Sequence, residues 1–195
     1  DSWNKRLAYG HEILTPYYYH TSFEGTGDEL EFSPQARSGY FKINFKNNED
    51  HSLRIGVISG KGEIEVRDKG RITGFEEFSV SFRYGISFIS MDQARQNLQK
   101  EIPEWNFDQV KEEARTIWDK ALNQIQVKGG SAAQRRVFYT ALYRAYERMV
   151  NINEYGRYYS GYDHQVHESD EPFYVDNWIW DNYIALEPLH MILNP

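Results

Sequence analysis

Between Asp163 and Asp181 the chain gathers Asp163, His164, His167, Glu168, Asp170, Glu171, Asp176 and Asp181. Carboxylates and imidazoles at that density suit proton transfer, or ligation of a hard cation through oxygen. The spacing matches no calcium loop, and two histidines three apart in a loop do not by themselves make a metal site. Charges in loops mostly face water, so a solvated acidic loop accounts for most of these groups. Trp178-Ile179-Trp180-Asp181 is sharper. An indole face beside a carboxylate holds a pyranose well: the ring stacks, and the carboxylate accepts two hydroxyl hydrogen bonds. The structural alternative is a helix-start carboxylate favoured by the helix dipole, with two tryptophans anchoring the helix. Hydrolysis of a glycosidic bond takes two flanking carboxyl groups, about 6.5–9.5 Å apart when a water must fit between them. The sequence alone nominates no such pair.

The elements that must position these residues are legible from periodicity. Residues 151–177 are rich in Asn, Gly, Tyr and acids and show neither helical nor strand period, which predicts a loop longer than the roughly 12–15 residues usual for structureless connections. Asp176 or Asn177 is expected to cap a last helix running through Trp180, Ile184, Ala185, Leu189 and Ile192, kinked at Pro188. Upstream, Ser90-Met91-Asp92-Gln93 and Ser131-Ala132-Ala133-Gln134 are two capping boxes. The first starts a helix to about Glu101. A second helix carries an apolar stripe of Phe107, Val110, Ala114, Ile117, Ala121 and Ile125 and stops at Gly129-Gly130. Behind Ser131, Val137, Leu142, Ala145 and Met149 are expected on one buried side.

Residues 1–90 read as antiparallel strands. Thr15-Pro16-Tyr17-Tyr18-Tyr19 and Gly39 to Phe45 alternate large and polar groups, and Ile64 and Val66 before Asp68-Lys69-Gly70 mark a hairpin. From Phe78 to Phe88 every even position is apolar or aromatic, which predicts a strand longer than the usual limit of about 10 residues or two strands fused. A sandwich is expected rather than a small closed barrel.

Composition excludes several function classes. A net charge of -7 with no Lys/Arg block argues against a nucleic-acid surface, which neutralises phosphates with a basic patch. No stretch approaches the roughly 18 apolar residues of a membrane span. The absence of cysteine removes disulfides, thiolate nucleophiles and zinc-thiolate sites. Gly-rich phosphate loops, Gly-x-Ser-x-Gly elbows and His-Glu-x-x-His helices do not occur. Five Trp, fifteen Tyr and eleven Phe suit core packing or sugar-ring stacking.

Taken in order, His11-Glu12, Thr15-Pro16-Tyr17-Tyr18 and Arg37-Ser38-Gly39-Tyr40 resemble the sandwich domain of glycoside hydrolase family 92, the calcium-dependent exo-α-mannosidases. Gly85 to Ser90, Gln93 to Leu98, Trp118 to Leu122 and Phe138 to Tyr143 resemble that family's linker and first barrel helix. Gly156 to Asp163, Trp180-Asp181-Asn182-Tyr183, Ala185-Leu186 and Pro188-Leu189 extend the likeness over nearly the whole chain.

The resemblance implies an α+β chain of two domains: an antiparallel β-sandwich over residues 1–90, then linker helices and the start of an (α/α)6 catalytic barrel over residues 91–195. It implies inverting release of terminal mannose from glycans, with α-1,2 linkages favoured, and a calcium ion on the 2- and 3-hydroxyls of that mannose. The family's Trp-Asp pair falls on Trp180 and Asp181, with Trp178, Tyr162 and Tyr158 as further substrate contacts. The acid, base and calcium ligands are implied to lie after Pro195, so the isolated chain is expected to be inactive. Ile184 and Glu187 stand where the family often has Arg and His. An enzyme of this kind is expected in the periplasm, on the cell surface or secreted. A non-catalytic glycan-binding or structural module, and another (α/α)6 glycosidase acting on glucosides, are the competing readings.

Overall fold

Residues 8–46, 53, 55 and 78–195 are described by the computed structural model. The hairpin expected around Asp68-Lys69-Gly70 lies outside the described residues. The alternation in the first part of the chain becomes a five-stranded antiparallel meander in the order β1 to β5: β1 (Tyr9–Leu14), β2 (Tyr19–Phe23), β3 (Glu29–Pro34), β4 (Ser38–Phe45) and β5 (Phe78–Gly85). On one face the in-register residues Phe32, Phe41 and Phe82 form an aromatic row across β3, β4 and β5, with ring centroids 4.3 and 4.6 Å apart. Cross-strand aromatic pairs of this kind are a main source of sheet stability.

The other face is covered by helices. β5 ends at Gly85 instead of running on to Phe88, because α1 (Met91–Glu101) packs there. A Cβ on Gly85 would lie 2.4 Å from the Ala94 carbonyl oxygen and 2.8 Å from Leu98 Cβ, so only glycine admits the helix at this distance. The Ile86 carbonyl then accepts from the buried Asn97 carboxamide at 2.8 Å, and Phe88 is left exposed. Ser90 caps α1 by accepting from Gln93 N at 3.1 Å, but the reciprocal half of the expected box is replaced. The Ser90 N–H goes to Ser87 Oγ, while the Gln93 side chain turns inward and donates to Asn97 Oδ1 at 2.8 Å.

After a short connection comes α2 (Phe107–Leu122), started by Asn106 Oδ1 accepting from Gln109 N at 3.1 Å. Its Phe107 and Val110 join Tyr40 of β4 and Ile102 in the core, with Tyr18 and Leu98 packed against them. Tyr40 meets Phe107 edge-on at 5.4 Å, a favourable geometry for two rings. Beside this core Tyr18 donates its hydroxyl to Glu31 Oε2 at 2.8 Å, Lys42 Nζ lies 3.4 Å from Glu31, and Lys111 Nζ sits 3.6 Å above the Tyr18 ring. Burial, then the Glu31 carboxylate, push the Tyr18 phenol well above its ordinary value. Burial alone would raise Glu31, but the Tyr18 hydrogen bond and the Lys42 charge outweigh it and leave Glu31 below the usual carboxylate value.

The chain divides into two compact units between Arg115 and Thr116, inside α2. The predicted stripe of α2 is buried at Phe107, Val110 and Ala114, whereas Ile117 is exposed. In the second unit α3 (Ala132–Ala145) has the full capping box at Ser131 and Gln134. Its buried position is Leu142, whereas Val137 is 70% exposed, against the expectation that both share a face. Five residues at about 100° each place Val137 roughly 140° away from Leu142, and Phe138 takes the inward position instead.

Residues 151–177 are not a featureless loop. β6 (Val150–Asn151) pairs with β9 (Tyr174–Val175), and nested between them β7 (Arg157–Tyr159) pairs with β8 (Val166–Glu168). Strands of two or three residues are too short for their alternation to stand out in sequence. The last predicted helix is two: α4 (Ile179–Asn182) and α5 (Leu186–Leu193). Pro188 therefore falls in the first turn of α5, where its missing N–H has no intrahelical partner to lose. The break at Tyr183 to Ala185 takes the place of the expected kink. Neither Asp176 nor Asn177 caps α4, because their side chains bond elsewhere. Among the described residues no helix is long and apolar enough to cross a membrane.

Candidate functional site

α4 carries the sharpest of the candidates. Trp178 immediately precedes it, Trp180 and Asp181 lie within its single turn, and Asp181 N donates to the Trp178 carbonyl at 2.9 Å. Within this chain Trp180 is 86% exposed and Asp181 is exposed. The Trp180 and Tyr183 rings lie 6.2 Å apart.

This turn is held from three sides. Asn177 donates through Nδ2 to Glu187 Oε1 at 2.7 Å and accepts from Asn182 Nδ2 at 3.1 Å, linking the two ends of α4 to the first turn of α5. Asp176, in the left-handed region at φ +61°, accepts the Trp178 indole N–H on Oδ1 at 2.8 Å and pairs through Oδ2 with Arg148. The Arg148 guanidinium in turn lies 4.3 Å over the Trp178 ring. The β6–β9 ladder explains the meeting: pairing Val150 with Val175 brings the residues just before β6 beside those just after β9. Arg148 carries no motif and stands outside the acidic segment, so sequence reading passed it over; only the pairing of two two-residue strands reveals it.

Tyr158 and Tyr162 sit apart from α4 in sequence, on the β7–β8 hairpin. The Tyr158 ring stacks on Phe173 at 4.0 Å with 6° between planes, and on His167 at 5.4 Å. Its cross-strand partner is the same His167. Tyr162 at the hairpin tip is 98% exposed. Next to it Asp163 Oδ2 lies 2.8 Å from His167 Nε2, and Asp163 Oδ1 accepts from Gln165 N at 3.1 Å. Desolvation alone would raise Asp163, but hydrogen bonds from Ser160, His167 and the Gln165 N–H together outweigh it and hold the carboxyl below its ordinary value.

Two carboxylates of the acidic segment thus have separate partners: Asp163 with His167 and Asp176 with Arg148. Among the described residues no three His, Cys, Asp or Glu side chains gather as a divalent cation requires. The described residues do not fit a calcium centre of their own.

Residues 93–195, just over half of the chain, match the glycosyl hydrolase family 92 catalytic domain. A protein of Arthroderma benhamiae described as an uncharacterized secreted glycosidase is 35% identical over 99 residues, which covers 49% of this chain and 12% of that protein. The fold matches that of a family GH92 inverting mannosidase from Bacteroides thetaiotaomicron with a TM-score of 0.71 at 22% identity, over 94% of this chain and 33% of that one. A GH92 α-mannosidase of the same organism, solved in complex with mannoimidazole, matches with a TM-score of 0.70 at 19% identity, over 94% and 33%. The chain therefore spans about a third of the length of these solved mannosidases. The antiparallel sheet followed by helices is the fold of their β-sandwich and of the start of their helical domain. With the catalytic-domain match beginning at Gln93 in α1 and running to Pro195, this chain belongs to glycosyl hydrolase family 92.

Proposed function

We propose that this chain is part of an inverting exo-α-mannosidase acting on α-1,2-linked terminal mannose, and that α4 forms one wall of its sugar site. The observation that carries this reading is the exposed Trp180 and Asp181 pair on a turn held by Asn177, within the residues that match the catalytic domain. Asp181 accepts hydrogen bonds from two sugar hydroxyls while an indole face covers the apolar side of the ring. Trp178, Tyr158 and Tyr162 are further contacts. Tyr158 is already stacked on Phe173 and acts through its hydroxyl or its edge rather than through that face.

In this reading residues 1–90 serve as the sandwich domain and 91–195 as linker helices and the opening of the catalytic barrel. The general acid, the general base and the calcium ligands come from the rest of the protein. Calcium supplies electrophilic pull on the sugar hydroxyls when bound. A polypeptide limited to residues 1–195 is expected to release no mannose. The fungal relative is described as secreted, which supports export of this protein to the periplasm, the cell surface or the medium.

The test is Asp181→Ala in the full-length protein, assayed for mannose release from an α-1,2-linked mannobiose. Loss of release with an unchanged circular dichroism spectrum and melting temperature is the expected result. Wild-type rates in the variant would remove Asp181 from the site.

A further inference from the structure

We propose that Arg148 is a positioning residue for sugar binding, acting through Asp176 to fix the Trp178 indole as a stacking face; this rests on the sugar-wall reading of α4. Three contacts close a triangle. Arg148 pairs with Asp176 Oδ2, the other carboxylate oxygen accepts the Trp178 N–H at 2.8 Å, and the guanidinium covers the same indole at 4.3 Å. An indole held by its only polar atom and by one covered face has few rotamers left.

Stability is a poor explanation for this arrangement. The Arg148 and Asp176 side chains are 39% and 44% exposed, so solvent screens their attraction. Asp176 meanwhile adopts φ +61°, a region that residues with a Cβ occupy at some cost and that clusters at binding sites. Trp178 still keeps 55% of its surface open. An exposed ring that is nonetheless locked in orientation is what sugar stacking requires, since ordering the ring beforehand spares that entropy on binding. The guanidinium is suited to the task because its planar fork can bond a carboxylate and lie flat on an aromatic face together, which an ammonium cannot.

The experiment is a double-mutant cycle in the full-length protein, with Arg148→Ala, Trp178→Ala and both together, read as kcat and KM for mannobiose hydrolysis. Acrylamide quenching of Trp178 fluorescence in Arg148→Ala, with Trp178→Phe as the reference, is measured in parallel. Arg148→Ala is expected to raise KM about five- to tenfold with kcat nearly unchanged, the signature of lost uniform binding. The double variant is expected to be no worse than Trp178→Ala alone, and Arg148→Lys to recover only part of the loss. A wild-type KM in Arg148→Ala, or losses that multiply in the double variant, would overturn the proposal. If the wild-type protein hydrolyses no mannoside, the mannosidase reading fails by itself. Quenching then decides the clamp: greater access to Trp178 in Arg148→Ala supports it, and unchanged access overturns it.

Discussion

Glu101, in the last turn of α1, accepts the Ser38 hydroxyl at 2.7 Å with the same Oε2 that takes the Arg37 N–H at 2.8 Å. One carboxylate oxygen thus ties α1 to the turn between β3 and β4. Glu101→Ala leaves a backbone donor and a buried serine hydroxyl without this acceptor. Loss of about 1–3 kcal/mol is expected, seen as a lower urea midpoint. A midpoint equal to wild type would show that water replaces the carboxylate without loss.

Gly85→Ala tests the close approach of α1 to the sheet. The added methyl would lie 2.4 Å from a backbone oxygen, and backbone cannot swing aside as a side-chain tip can. Destabilisation of about 1–3 kcal/mol, the usual cost of overpacking, is the expected outcome of chemical denaturation. An unchanged midpoint would mean that α1 is free to shift.

The Tyr18 and Glu31 pair sets a pH window for the first unit. Glu31 lies below its ordinary value when folded, so its contribution is present above the unfolded value and is lost as pH falls through the folded one. Tyr18 is raised, so its contribution is present below the ordinary phenol value of 10.0 and is lost as pH rises beyond it. Tyr18→Phe should therefore flatten both the acid and the alkaline limbs of a plot of urea midpoint against pH. Identical limbs in variant and wild type would remove the pair from the account.

Chelation tests the calcium part of the functional proposal. EDTA should abolish mannose release by the full-length protein, and added calcium should restore it. Activity that survives EDTA would exclude the calcium reading.

What was legible in sequence follows from how local each signal is. Ser131 and Gln134 satisfy one another's backbone across a single turn, so their box survives intact in the fold. Ser90 and Gln93 obey the same pattern, yet burial against the sheet redirects Gln93 to Asn97, a tertiary demand that three-residue spacing cannot express. Gly85 reads as one more strand residue until α1 is set against it. At the candidate site Trp180 and Asp181 stand out by type and adjacency. Arg148, which helps to orient the turn, does not, because it meets Asp176 across 28 positions through strands only two residues long.

The row of Phe32, Phe41 and Phe82 also bears on errors of assembly. Side chains alternate faces along a strand, so a slip of β4 by one residue would turn Phe41 to the helix side and expel Tyr40 from beneath Phe107. The contacts of the middle ring with Phe32 and Phe82 would vanish in the same step. β4 is thus keyed from both faces at adjacent positions, and a register slip loses the contacts of both faces at once.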